Sequence, residues 1–246
     1  MPREVPWTSA ITDVGKNALR THGVDQADMI QNFRYEEVVF LLLFGRKASE
    51  VEADLLRAVI VSHVSHGITG QSTMAVRMAA DCRSPFLNSA LGGFLVGSGD
   101  FHQGALEMAM GVIREAGDSG DVGKYVAARL DGRGTFFGYG HRYHSRDPRA
   151  AALMGLCDGH GFAGRYVRAA RDIEGILGPT RGRYMNIEAA GGAILLDLGV
   201  PSEVASLVIV VGRCPMLAAA YLERLRSGSK PFQRLAVYDV VPGRAD

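Results

Sequence analysis

Apolar residues recur at three- and four-residue spacing through nearly the whole chain, and glycine breaks that periodicity into short lengths. Together these features restrict the fold to a packing of many short helices. Leu106, Ala109, Met110 and Ile113 follow the i, i+3, i+4, i+7 pattern of one helix face, as do Val204, Leu207, Val208 and Val211. Ala218, Tyr221, Leu222 and Leu225 continue the second stripe. Ile187, Gly191, Ile194, Leu195 and Leu198 form another, and Val167, Ala170, Ile173 and Leu177 a further one. Val51, Leu55 and Val59 mark one face of a helix over Glu50–Val64, with acidic residues in its first turn, and Val122, Val126 and Leu130 mark one more. Alternation of strand type is scarce, with Leu235–Val241 its best candidate. The expected class is all-α, with corners supplied by 31 glycines, well above average usage, that follow no repeat.

The 246 residues can bury a substantial core without disulfides. Lysine and arginine total 27 against 26 acidic residues, so there is no basic footprint for nucleic acid. The longest apolar runs, Val38–Phe44 and Leu207–Val211, are too short to cross a bilayer, and the charged N-terminus lacks the apolar stretch of a secretory signal. Cys82, Cys157 and Cys214 lie too far apart for a disulfide framework. These features fit a soluble, cytoplasmic globular protein.

Several polar residues invite a chemical reading. The segment Gly132–His141 is too rich in glycine and aromatics for a helix interior and suits a site-bearing loop, or else a plain connector. His63/His66 and His141/His144 are i, i+3 pairs that could share a helix face and bind metal, but no Cys, Asp or Glu completes a ligand set; no metal is expected. His102 precedes the helix led by Leu106, where a helix N-terminus would keep it neutral. It either caps that helix or donates a hydrogen bond to a carbonyl or enolate oxygen. Glu188 begins the Ile187–Leu198 helix among small apolar neighbours, and its position alone favours an ordinary first-turn carboxylate over a proton-transfer base. Arg149 and Arg213 could each grip a carboxylate, and Arg213, interrupting an apolar stripe, calls for an anionic partner.

In sequence order these segments resemble the citrate synthase superfamily. His66-Gly-Ile-Thr-Gly-Gln-Ser-Thr-Met-Ala-Val-Arg77 is similar to the family's oxaloacetate-binding histidine segment. Gly138-Tyr-Gly-His-Arg-Tyr-His-Ser-Arg-Asp-Pro-Arg149 is the most specific match, followed by Asn186-Ile-Glu-Ala-Ala-Gly-Gly and Val211-Gly-Arg213. The resemblance implies a citrate synthase-like multi-helical fold, compact because part of the large-domain helices is missing. It would comprise a large region over 1–140, a smaller one over 141–215 carrying the catalytic His and Glu, and a C-terminal helix and tail over 216–246 that returns to the large region or to a dimer partner. It also implies catalytic roles for His102, His141 and Glu188, and carboxylate binding by His66, Arg149 and Arg213. Arg142 and Arg146 would contact coenzyme A, which enters as a thioester substrate with no tightly bound cofactor. The expected assembly is a homodimer or higher homo-oligomer with Pro85–Gly97 at its interface.

The short chain and the C-terminal segment Lys230–Pro242 resemble the compact citryl-CoA lyases and the lyase module of ATP-citrate lyase. Phe232 stands where synthases offer an arginine, whereas His102 is of synthase type. Glu188 stands where the family has aspartate. The implied reaction is cleavage of citryl-CoA to acetyl-CoA and oxaloacetate. The alternatives are a compact condensing enzyme joining an acyl-CoA to a 2-oxo acid, and a non-catalytic coenzyme A-binding relative.

Overall fold

The computed structural model describes residues 9–228. The strand candidate at 235–241 and Phe232 lie outside the described residues. Three short strands come first: β1 (Thr12–Gly15), β2 (Ala18–Thr21) and β3 (Val24–Asp25). Helices α1 (Gln26–Asn32), α2 (Tyr35–Phe44), α3 (Glu50–Ser62), α4 (Gln71–Asp81), α5 (Phe86–Gly97) and α6 (Ala105–Asp118) follow. The second half of the chain forms α7 (Val122–Asp131), α8 (Pro148–Gly159), α9 (Arg165–Arg181), α10 (Ile187–Asp197) and α11 (Ser206–Arg226).

The described residues are mostly helical, as expected, and the short antiparallel meander β1–β2–β3 is an addition to that expectation. Its hairpin loops are only two residues long, Lys16-Asn17 and His22-Gly23. His22 and Gly23 both have positive φ, as the tight hairpin turns that match strand twist require.

Two compact units emerge, each assembled from separate stretches of sequence. The first takes the described residues up to Ser62 together with Leu106–Ala205; the second takes His63–Ala105 with the described residues from Ser206 onward. The divisions expected at residues 140 and 215 therefore fall elsewhere. His141–Ala205 stays with α6 and α7, while α11 joins the second unit because it packs on α4 and α5.

In the first unit α10 is the central helix, with eight of its eleven residues buried. It meets α3, α8 and α9, and Met110 of α6 lies against Gly192. The stripes Leu106/Ala109/Met110/Ile113 and Val167/Ala170/Ile173/Leu177 are buried as their spacing predicts. Full burial of each large member stabilises by roughly 1.5–3 kcal/mol. Asp197 reaches from the end of α10 to accept the Tyr166 and Val167 N–H groups, capping α9 where its own Gly164 has no side chain to do so.

In the second unit α4 and α5 form a tight hairpin. A Cβ on Gly93 would stand 2.7 Å from Val76 Cγ2 and 2.9 Å from the Ser72 carbonyl, so glycine is what allows the approach. Leu217 packs with Val76 and Ala90. The expected stripe on the last part of α11 is shifted: Leu217, Ala220 and Arg224 are buried, whereas Leu222 and Leu225 are exposed. Ser202–Arg226 is long and apolar enough to cross a membrane by composition alone, which the short uninterrupted runs did not suggest. In the fold it packs on α4 and α5 and buries Arg213.

Candidate functional site

The glycine-rich loop ending at His141 is stitched to the start of α10. The Asn186 N–H donates to the Gly138 carbonyl at 2.9 Å, Gly140 N–H to the Tyr184 carbonyl at 2.7 Å, and Asn186 Nδ2 to the Gly140 carbonyl at 2.9 Å. Gly138, with φ +87°, lies where a Cβ would collide with Ala189 at 2.7–2.9 Å, so only glycine lets the loop run this close to the helix. Asn186 also caps α10 by accepting from Glu188 N and Ala189 N. Glu188 sits half-buried in the first turn, where the sequence puts it.

His141 Nδ1 accepts from the backbone N–H groups of Tyr143 (3.0 Å) and His144 (3.1 Å). Two donors at Nδ1 fix the neutral tautomer that carries its proton on Nε2, leaving that N–H to donate. Burial lowers the pKa of His141; Asp147 raises it, and His144, Arg149 and Arg142 lower it further. The lowered pKa favours the neutral ring near neutral pH.

Arg149 lies in the same unit, and its fork is engaged: Nε donates to Asp147 Oδ1 at 3.0 Å and Nη2 to Oδ2 at 2.7 Å. Asp147 was not among the sequence candidates, although it precedes the helix-starting Pro148 and caps α8 through Arg149 N. Arg142 and Arg146 are exposed, and the Arg146 guanidinium stacks over the Tyr184 ring at 4.0 Å.

The second unit gathers His66, His102 and Arg213. Arg213 is buried; Nε donates to the His63 carbonyl at 2.9 Å, and Nη2 lies 3.0 Å from His66 Nδ1. The His66 and His102 rings meet edge to face at 5.7 Å. His102 Nε2 lies 3.3 Å from Ser72 Oγ, a fully buried hydroxyl on α4. The pKa of His102 is lowered, first by burial and then by the Arg213 charge. Neutrality was expected, but its cause is burial beside a cation rather than a helix terminus.

Neither histidine pair lies on a helix. α3 ends at Ser62, before His63, and His141 and His144 belong to a loop where their rings stack at 4.5 Å. Among the described residues no group of three or more His, Cys, Asp or Glu is placed to hold a metal.

A cavity of about 470 Å³ opens beside the loop, with Leu130, Phe136 and Leu177 as its apolar wall and Arg133, Arg181 and Arg183 around it. Sequence reasoning passed over these arginines. The available signal was their glycine spacing, Gly132-Arg-Gly134 and Arg181-Gly-Arg183, which puts short cationic turns at two helix ends.

The family model "Citrate synthase, C-terminal domain" matches residues 43–234. A citrate synthase of Helicobacter pylori is 30% identical over 190 residues, covering 72% of this chain and 44% of that protein. A citrate/2-methylcitrate synthase of Bacillus subtilis is 25% identical over 201 residues, covering 79% and 54%. The chain thus spans about half the length of these relatives. Among solved structures, citryl-CoA lyase from Hydrogenobacter thermophilus superimposes with a TM-score of 0.90 at 28% identity, covering 98% of this chain and 96% of that one. ATP citrate lyase from Methanothrix soehngenii, solved with citrate and coenzyme A, gives a TM-score of 0.89 at 19% identity, covering all of this chain and 43% of that one.

Proposed function

The chain belongs to the citrate synthase family, and from that membership we propose that it cleaves the carbon–carbon bond of citryl-CoA, giving acetyl-CoA and oxaloacetate. The observation that carries the reading is the fold match to a citryl-CoA lyase over 98% of this chain and 96% of that one.

The proposed chemistry assigns each group a task its surroundings suit. The tertiary hydroxyl of citryl-CoA gives up its proton to solvent water, and the Nε2–H of His141 stabilises the resulting alkoxide. The alkoxide collapses to the ketone of oxaloacetate as the carbon–carbon bond breaks, and the bond's electron pair passes into an acetyl-CoA enolate. His102, kept neutral, donates from Nδ1 to the enolate oxygen while Nε2 accepts from Ser72. Preorganised donors of this kind are worth roughly 3–4 kcal/mol each. Glu188 delivers a proton to the α-carbon and takes one back from the solvent, which balances the proton released from the hydroxyl. Buried Arg213 with His66, and the outward edge of Arg149, would receive the substrate carboxylates.

The cavity lined by Arg133, Arg181 and Arg183 fits the phosphates and flat base of coenzyme A better than exposed Arg142 alone, with Arg146 held over Tyr184 nearby. A homodimer is proposed as well. Leu87, Leu91, Leu95 and Val96 on α5 and Met74 and Met78 on α4 are exposed, an apolar face that a second copy would cover.

The test is incubation with citryl-CoA, reading oxaloacetate through malate dehydrogenase and NADH consumption. Turnover lost in Glu188→Gln with the fold intact supports the assignment; full turnover in that variant ends it. A condensing enzyme is the second reading, favoured by the sequence relatives named citrate synthase. It would release free coenzyme A thiol from an acyl-CoA and a 2-oxo acid.

A further inference from the structure

Asp147 has more partners than a helix cap needs. Its side chain is wholly buried, and its two oxygens take four donors. Oδ1 accepts from Arg149 N and Arg149 Nε, both at 3.0 Å; Oδ2 accepts from Arg149 Nη2 at 2.7 Å and from Ile187 N at 3.1 Å. Ile187 is the first residue of α10, immediately before Glu188. One carboxylate therefore ties the start of α8, the guanidinium of Arg149 and the start of the helix that carries Glu188.

We propose that Asp147 is a positioning residue, locking Arg149 into a single rotamer through Nε and Nη2 and fixing Glu188 relative to His141. It also neutralises Arg149, so that the loop offers a substrate carboxylate a hydrogen-bonding edge rather than an uncompensated cation. Capping alone does not account for this arrangement, because the cap on α8 uses only Arg149 N. The groups whose charges act on His141 are Asp147, His144, Arg149 and Arg142, and Asp147 is the one anion among them. The inference rests on the proposed reaction for its kinetic readout; its spectroscopic readout rests on the bonds Asp147 makes to Arg149 and Ile187 and on its charge beside His141.

The experiment compares full-length wild type with Asp147→Asn and Asp147→Glu by thermal melting, calorimetric binding of oxaloacetate, turnover of citryl-CoA, and NMR titration of the histidine rings, with His141 assigned by loss of its signal in His141→Gln. In folded Asp147→Asn, His141 is expected to titrate lower than in wild type, and Asp147→Glu, which restores the charge, should move it back. Displacing Glu188 and Arg149 by about 1 Å should cut kcat roughly 100-fold. The Kd for oxaloacetate should stay within about threefold, because Arg149 keeps its charge and loses its neutralising partner. A folded Asp147→Asn with wild-type kcat and wild-type His141 titration overturns the proposal. So does a loss of kcat and binding together in proportion to unfolded protein. If Asp147→Asn does not fold, Asp147→Ser keeps a hydroxyl cap for α8 while removing the other bonds, and the same split is expected there. If wild type turns over no citryl-CoA, the proposed reaction fails while the His141 titration still decides the role of Asp147.

Discussion

Ser72 Oγ lies 3.3 Å from His102 Nε2, and the serine is fully buried. A hydroxyl donating to Nε2 leaves the imidazole proton on Nδ1, the nitrogen proposed to face the enolate oxygen. Ser72→Ala removes this selection of tautomer while changing little volume. A neutral hydrogen bond contributes about 0.5–1.5 kcal/mol, so kcat should fall up to roughly tenfold with little change in KM. Steady-state kinetics on the purified variant decide it: an unchanged kcat would leave the serine no part in orienting His102.

Both site histidines have lowered pKa values, mainly through burial. Against the ordinary value of 6.5, the folded state binds fewer protons than the unfolded chain, so stability rises with pH across that window. The contribution is complete above the unfolded value. It declines as pH falls below 6.5 and through the lowered folded values. Activity should hold at neutral pH and fall on the acid side of 6.5, when imidazolium formation removes the Nδ1 acceptor of His141. Urea melts from about pH 5 to 8 should show this slope, and the double variant His102→Gln/His141→Gln should flatten it. An equal slope in that variant would place the titration elsewhere.

The helices α6 and α9 are legible in the sequence because each has one apolar face and that face is the buried one. On α11 the expected stripe fails at Leu222 and Leu225, since a helix apolar on more than one side does not say which side the core takes. The β-meander escaped because its strands are too short to display alternation; the turn signal was His22-Gly23. Units assembled from interleaved segments leave no mark in a linear reading, so α11 was divided at residue 215 and His141–Ala205 was set apart from α6 and α7. The residue types of the site were legible as motif positions. Their bonding was not: the capture of Arg149 by Asp147 and the two N–H groups on His141 depend on loop geometry that no spacing encodes.

The remote cap on α9 gives a stability prediction away from the chemistry. Asp197→Ala strands the N–H groups of Tyr166 and Val167 at the start of a 17-residue helix and should cost about 1–2 kcal/mol. For a chain of this size that is roughly 2–4 °C in Tm per kcal/mol. Gly164→Ala should be at least as damaging, because its Cβ would overlap the Asp197 carboxylate. Calorimetric melts compare the two, and an unshifted Tm in Asp197→Ala would remove the cap from the stability of α9.

The arginine cavity separates binding from chemistry. Arg133, Arg181 and Arg183 line a space with Gly134 and Phe136, whereas His141, Asp147 and Asn186 bond to Tyr143, Arg149 and Gly140. Arg181→Gln should therefore weaken capture of the coenzyme A thioester while leaving the loop intact. The loss of one charge-assisted bond, about 1.5 kcal/mol, raises KM for the thioester roughly tenfold with kcat unchanged, and the salt dependence of KM should weaken. Adding Arg183→Gln should raise KM further. Oxaloacetate affinity, measured by calorimetry, should match wild type in both variants. A drop in kcat at unchanged KM would instead tie these arginines to the reacting centre and assign the nucleotide phosphates to Arg142 and Arg146.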